Sequence, residues 1–163
     1  MPYEERSLLA LSRSESVELL SRSHVGRAVF TKRALPDVAP VPFAFHGDEI
    51  VMHSSGDAGL AAAAARGDIL AFEIDDINPV ARTGWSVVVV GESELVTGPK
   101  KRALMELALE AWAPGHEDVC IRLPLTVVTG RRIAASVGTP PRQRGDRCLT
   151  PTDPARLRKP YVS

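Results

Sequence analysis

The chain has 163 residues, enough for one domain with a real core and too few for two comfortable ones. Hydrophobic residues make up 44% and charged residues 25%, an ordinary globular balance, and no apolar run reaches the length of a membrane span. Formal net charge is zero, but residues 1–138 carry 14 Lys/Arg against 18 Asp/Glu and residues 139–163 carry 6 against 2, so the main body has no global attraction for nucleic acid.

The first residues are acidic and no signal-peptide core follows them, so a cytoplasmic protein is expected. Cys120 and Cys148 do not have a metal-ligand spacing and read as reduced thiols.

Ser12 and Glu15 fit a capping box, with Val17, Leu19 and Leu20 as the apolar contacts of a short helix that ends before Gly26. Arg27–Thr31 reads as a first strand and Val38–Phe45 as a second. Pro40 and Pro42 remove ladder donors from that second strand. It is therefore an edge, or something other than a strand lies against it, a bound ligand included. His46-Gly47-Asp48 turns the chain into a third strand, Glu49–His53.

A Ser/Gly-rich loop, Ser54 to Gly59, then opens the alanine-rich helix Leu60–Arg66, closed by Gly67. Exposed N–H groups and the helix dipole attract anions to such a place. Ile69–Ile74 is a fourth strand, and Asn78-Pro79 marks the turn after it.

The fifth strand, Thr83–Val96, is the longest, and four consecutive valines within it call for cover on both faces. Gly91 stands where its continuous apolar run becomes alternation, which suits a bend. A helix is expected over Pro99–Ala113 and a sixth strand over Val119–Val128. Residues 1–138 form one domain, and residues 139–163 a Pro- and Arg-rich tail. Six strands, short hairpins and peripheral helices make a mostly antiparallel β fold, a six-stranded barrel.

From Ser12 to Ile133 the order of elements and several motifs resemble the pyridoxamine 5′-phosphate oxidase-like, FMN-binding split-barrel family. The most specific match is Gly84-Trp85-Ser86-Val87 running on to Gly91. Gly26-Arg27-Ala28-Val29-Phe30, Val41-Pro42-Phe43 and His53-Ser54-Ser55-Gly56 add to it. The resemblance implies a homodimer with two equivalent cofactor sites at the subunit interface, holding FMN or, in relatives, F420 or haem. It implies that the isoalloxazine lies along Val41, Pro42, Phe43 and Ala44. The phosphate side is His53, Ser54, Ser55, Gly56 and Gly59, and Trp85, Ser86 and Val87 come from one or other subunit.

The chain departs from the family where a Lys or Arg normally meets the phosphate: it reads Gly56-Asp57-Ala58-Gly59-Leu60, an acid and no base. Two charges about 4 Å apart interact by ~1 kcal/mol in water, so Asp57 repels what a lysine attracts. Arg66 and Arg82 are the nearest basic residues in sequence.

Each site residue also has a plainer role. Ser54 and Ser55 serve a turn or cap as well as a phosphate, His53 a structural contact, and Trp85 the end of the barrel. Arg27 reads as an ion-pairing strand residue and Cys120 as inert core. No triad order, carboxylate pair or metal cluster stands out. That suits flavin chemistry, in which the cofactor carries the reaction. Three functions remain open: an FMN-binding oxidoreductase of unknown substrate, an F420-dependent enzyme using a basic groove from Arg142 to Lys159, and a non-catalytic binding protein with a decayed site.

Overall fold

In a computed structural model of the protein, residues 8–55, 57–107 and 118–134 are described. In chain order the elements are β1 (Leu8–Leu11), α1 (Arg13–Arg22), β2 (Val25–Lys32), β3 (Leu35–His46), β4 (Glu49–Ser55) and α2 (Ala58–Arg66). There follow β5 (Ile69–Asn78), β6 (Thr83–Glu92), β7 (Glu94–Val96), α3 (Gly98–Leu107), β8 (Asp118–Pro124) and β9 (Val127–Ile133). Every strand pair is antiparallel, in the order β1-β9-β6-β5-β2-β3-β4-β8-β7.

The mostly β, antiparallel class with peripheral helices is therefore as expected. The strand count and the closure are not: the described residues form an open sheet of nine strands, where a barrel of six was expected. Two of the extra strands come from breaks. Ser93 cuts Thr83–Val96 in two, because its N–H and its Oγ both donate to the carbonyl of Asp68, at 3.0 and 2.7 Å. Gly91, where the sequence suits a bend, stays in the β5–β6 ladder opposite Leu70, and the strand breaks two residues later at Ser93. The missing side chain of Gly91 admits the Pro124 carbonyl, 2.6 Å from where a Cβ would stand.

The expected sixth strand breaks at Leu125. There the backbone N–H of Leu125 donates to the Asp48 carbonyl and that of Thr126 to the Pro124 carbonyl. β8 then lies between β4 and β7, whereas β9 lies between β6 and β1. The third extra strand is β1, for which the sequence carries no alternation signal.

The helices follow their sequence signals closely. Ser12 and Glu15 make the full capping box on α1. Gly67 closes α2 at φ +71°, a left-handed conformation that glycine adopts without strain. α3 begins as expected, and its continuation toward Ala113 lies outside the described residues, as do Gly56 and the tail from residue 139.

One face of the sheet holds the core, in which the Phe43 and Phe72 rings meet edge to face at 4.8 Å. α2 adds Leu60, Ala63 and Ala64 to it. On the opposite face, a second cluster of Val51, Val96, Leu104 and Cys120 forms under α3. Among the described residues only the β4–β8–β7 half is covered in this way.

Candidate functional site

β3 pairs with β2 from Leu35 to Pro42, and with β4 only from Phe43 to His46. The N–H of Phe43 donates to the His24 carbonyl at 2.9 Å, so alternate residues from Phe43 back along β3 aim their backbone groups at β2. Pro36, Pro40 and Pro42 fall on the intervening positions. No donor is lost from the β2–β3 ladder. The far edge of β3 offers carbonyl oxygens and, at these positions, no N–H. The prolines thus mark an unpaired edge within a strand that is central elsewhere.

β4 meanwhile continues along β8 as far as Ser55 opposite Asp118. Beyond Phe43 opposite Met52, β3 and β4 share no ladder, and no other described strand pairs with this edge of β3.

The expected site residues around this opening divide by face. Val41 and Phe43 point into the core, 3% and 0% exposed. Pro42 and Ala44 are half-buried on the other side, Ala44 against the cluster under α3. Ser54 is buried and lies opposite Val119. His53 is buried with Nε2 3.5 Å from Asp118 Oδ2, a contact too long for a hydrogen bond. Beyond it in the same half, Arg122 bridges Glu49 at 2.7 Å and Glu94 at 3.1 Å.

At the start of α2, Asp57 is the N-cap, and its Oδ1 accepts from the N–H groups of Gly59 and Leu60, both at 3.0 Å. Gly59 is held small by its neighbours: a Cβ there would meet Lys32 Cδ at 3.0 Å and Phe30 Cε2 at 3.1 Å. Lys32, which the sequence did not single out, therefore lays its stem on this turn, with its ammonium 3.7 Å from Asp37. Only the register of β2 against α2 reveals it.

The two expected substitutes for the missing base are elsewhere. Arg66 is at the far end of α2, held by Asp68 through a 2.6 Å contact. Arg82 sits in the turn between β5 and β6, at φ +54°.

Trp85, Ser86 and Val87 do not join this opening within one chain, because β5 and β2 separate β6 from β3. Val87 is core, and Ser86 faces outward between Asp75 and Arg131. Trp85 is half-buried in a groove of about 600 Å³ with Leu19, Asp76 and Arg132.

The plainer readings of Arg27 and Cys120 hold. Arg27 reaches Glu73 and Asp75, each at 2.9 Å, and these two bonds raise its already high pKa. Cys120 is fully buried, and burial pushes its thiol up, against the weaker opposing pull of Lys101 and Lys100. Among the described residues no group of three or more His, Cys, Asp or Glu could hold a metal ion. No described helix is long and apolar enough to cross a membrane.

The sequence profile described as pyridoxamine 5′-phosphate oxidase matches residues 12–132. The chain belongs to this family. Within reach of it, the uncharacterized protein Rv0080 of Mycobacterium tuberculosis is 34% identical over 143 residues, 85% of this chain and 94% of that protein. The FAD binding protein from Mycobacterium smegmatis superposes with a TM-score of 0.66 at 28% identity, over 77% of this chain and 98% of that one. The FAD and heme binding protein from Mycobacterium smegmatis shares the fold, with a TM-score of 0.61 at 16% identity, over 88% of this chain and 92% of that one.

At Pro40 and Pro42 the edge of β3 presents carbonyl acceptors, and at the α2 turn two N–H groups already serve Asp57.

Proposed function

We propose that the chain binds a flavin nucleotide along the open edge of β3, and that it is an oxidoreductase acting on a small molecule still to be identified. One observation carries the reading: β3 and β4 lose their ladder at Phe43 and leave an edge of carbonyls, at Pro40 and Pro42, beside the buried end of β4. The imide of a flavin ring donates one N–H, between two carbonyl oxygens, and a single carbonyl of this edge suffices to accept from it. FMN is the flavin that the sequence resemblance implies, and the family relative at 28% identity is an FAD binding protein.

In this reading the ring lies along Val41 to Ala44, where the carbonyl of Pro42 is the free backbone group, and His53 to Gly59 lie on the phosphate side. A bound flavin supplies the electron or hydride transfer, while these residues bind, orient and exclude water. Trp85 and Ser86, with the backbone of Val87, reach the ring from a second copy of the chain.

A homodimer is part of the same proposal. Val38, Val29, Ala71, Val90 and Val127 face one another in register across five strands, β3, β2, β5, β6 and β9. Val38 and Val127, at the ends of this row, are 53% and 50% exposed. A continuous apolar row of that kind fits a second copy of itself. The protein is further read as cytoplasmic, with its thiols reduced.

Asp57 favours a second reading, a binding protein of the same fold without catalysis, because its carboxylate stands where a phosphate partner is needed. The purified chain mixed with FMN, FAD, F420 or haem and passed through gel filtration tests both. Flavin absorbance that travels with a dimer, and bleaches reversibly with an electron donor, is the expected result. A colourless peak with every flavin removes the function, and retention without any turnover favours the second reading.

A further inference from the structure

We propose that the groove around Trp85 is a second binding site, for a small rod-shaped zwitterion with a flat apolar body. The inference stands on the groove alone and does not rest on the flavin reading. Three strands meet there in register: Asp76 of β5 lies opposite Trp85 of β6, and Trp85 lies opposite Arg132 of β9. Cross-strand neighbours are about 5 Å apart, so the acid and the base flank the indole about 10 Å from each other at the backbone. Two residues back along β9, on the same face, Gly130 has no side chain to collide with Ser16 Oγ and Leu11. α1 therefore packs down on β9 at Gly130. The groove of about 600 Å³ opens beside it, with Leu19 as its α1 wall.

Both charges in the row are unanswered. Among the described residues neither Asp76 nor Arg132 belongs to an ion pair. Asp75, one position back along β5 and on the opposite face, is by contrast bonded to Arg27 at 2.9 Å. Glu15 of α1 is held low first by its bonds to Ser12, and Arg132 is the least of the influences on it. The Asn78 carboxamide oxygen is occupied by the N–H groups of Val80 and Ala81, which leaves the Asp76 carboxylate as the charged acceptor at that end.

A lone surface charge is satisfied by water. Opposite charges on the two sides of an indole, in a concave place, call for a ligand with a charge at each end. Its cationic end meets Asp76, and its anionic end meets the planar fork of Arg132, which fits a carboxylate through two parallel bonds. Its flat middle lies against Trp85 and Leu19.

The test is isothermal titration calorimetry of the full chain with 4-(aminomethyl)benzoate, which carries both charges at neutral pH, and with benzoate and benzylamine, which carry one each. The zwitterion is expected to bind at least about tenfold more tightly than either. Arg132→Asp and Asp76→Arg, both at exposed positions, should each weaken it about tenfold or more. The double variant Asp76→Arg/Arg132→Asp reverses the row, and a rod can turn end for end. Its affinity should therefore return to within about threefold of wild type.

Equal affinity for the zwitterion and its single-charge analogues overturns the inference, as does an affinity unchanged in Arg132→Asp. Loss in both single variants without recovery in the double variant overturns it too. So does a wild-type chain that takes up none of the three compounds.

Discussion

The outward faces of the two halves of the sheet are built from similar residues and meet different fates. In the β4–β8–β7 half, Ala44, Val51, Val96 and Cys120 lie under Leu104 of α3. In the β3–β2–β5–β6–β9 half, the valine row from Val38 to Val127 has no cover among the described residues. Small β-branched side chains say only that a face wants to be dry. Whether a helix of the same chain or a second copy dries it depends on which element the connections bring over.

The largest effect expected from this contrast comes from placing the same charge on each face. Val51→Asp puts an unpaired carboxylate at a site 2% exposed and should cost at least about 3 kcal/mol, enough to unfold a marginal domain. Val38→Asp, at a site 53% exposed, should leave the stability of a monomer within about 0.5 kcal/mol. It should nevertheless abolish association. Urea unfolding and sedimentation velocity separate the two. A Val38→Asp chain that stays dimeric removes the second copy from the account.

Next is the cover itself. Leu104→Ala truncates the α3 residue that seals the cluster and should cost about 2–3 kcal/mol by thermal or urea unfolding. A cost below about 0.5 kcal/mol would mean that α3 does not cover this face. Smaller still is the hand-over between halves at Ser93. Ser93→Ala deletes the 2.7 Å bond to the Asp68 carbonyl and should cost about 1 kcal/mol.

The smallest effect is a pH dependence on the covered face. Burial raises the Cys120 thiol above its usual value near 9, so the folded chain keeps it neutral while an unfolded chain releases the proton. Its contribution is complete below that value and fades as pH rises through it. Cys120→Ala should therefore flatten the alkaline limb of a stability–pH profile and leave its slope between pH 6 and 8 unchanged. An identical alkaline limb in both chains would contradict it.

Local chemistry was legible in this sequence wherever it decides alone. Ser12 and Glu15 cap α1, and Gly67 closes α2, as their residue types dictate. The six apolar stretches are all strands. The breaks at Ser93 and Leu125 were not legible, because each is made by a carbonyl distant in sequence, Asp68 in one case and Asp48 in the other. β1 is a strand only because β9 is there to pair with it.

The site divides in the same way. Pro40 and Pro42 announced an edge, and β3 has one there. Asp57 was legible as the wrong charge for a phosphate, but not as a carboxylate already bonded to two N–H groups. The place of Lys32 depends on the packing of α2 on β2, which no local pattern records.

The flavin's position is tested most directly by backbone amide chemical shifts of the full chain, recorded with and without saturating FAD. The perturbed amides are expected to cluster at Val41, Phe43 and Ala44 and from His53 to Gly59, with Trp85, Ser86 and Val87 joining only in the dimer. Perturbations gathered instead around the groove of Leu19, Asp76 and Arg132, with the β3 edge unmoved, would contradict it.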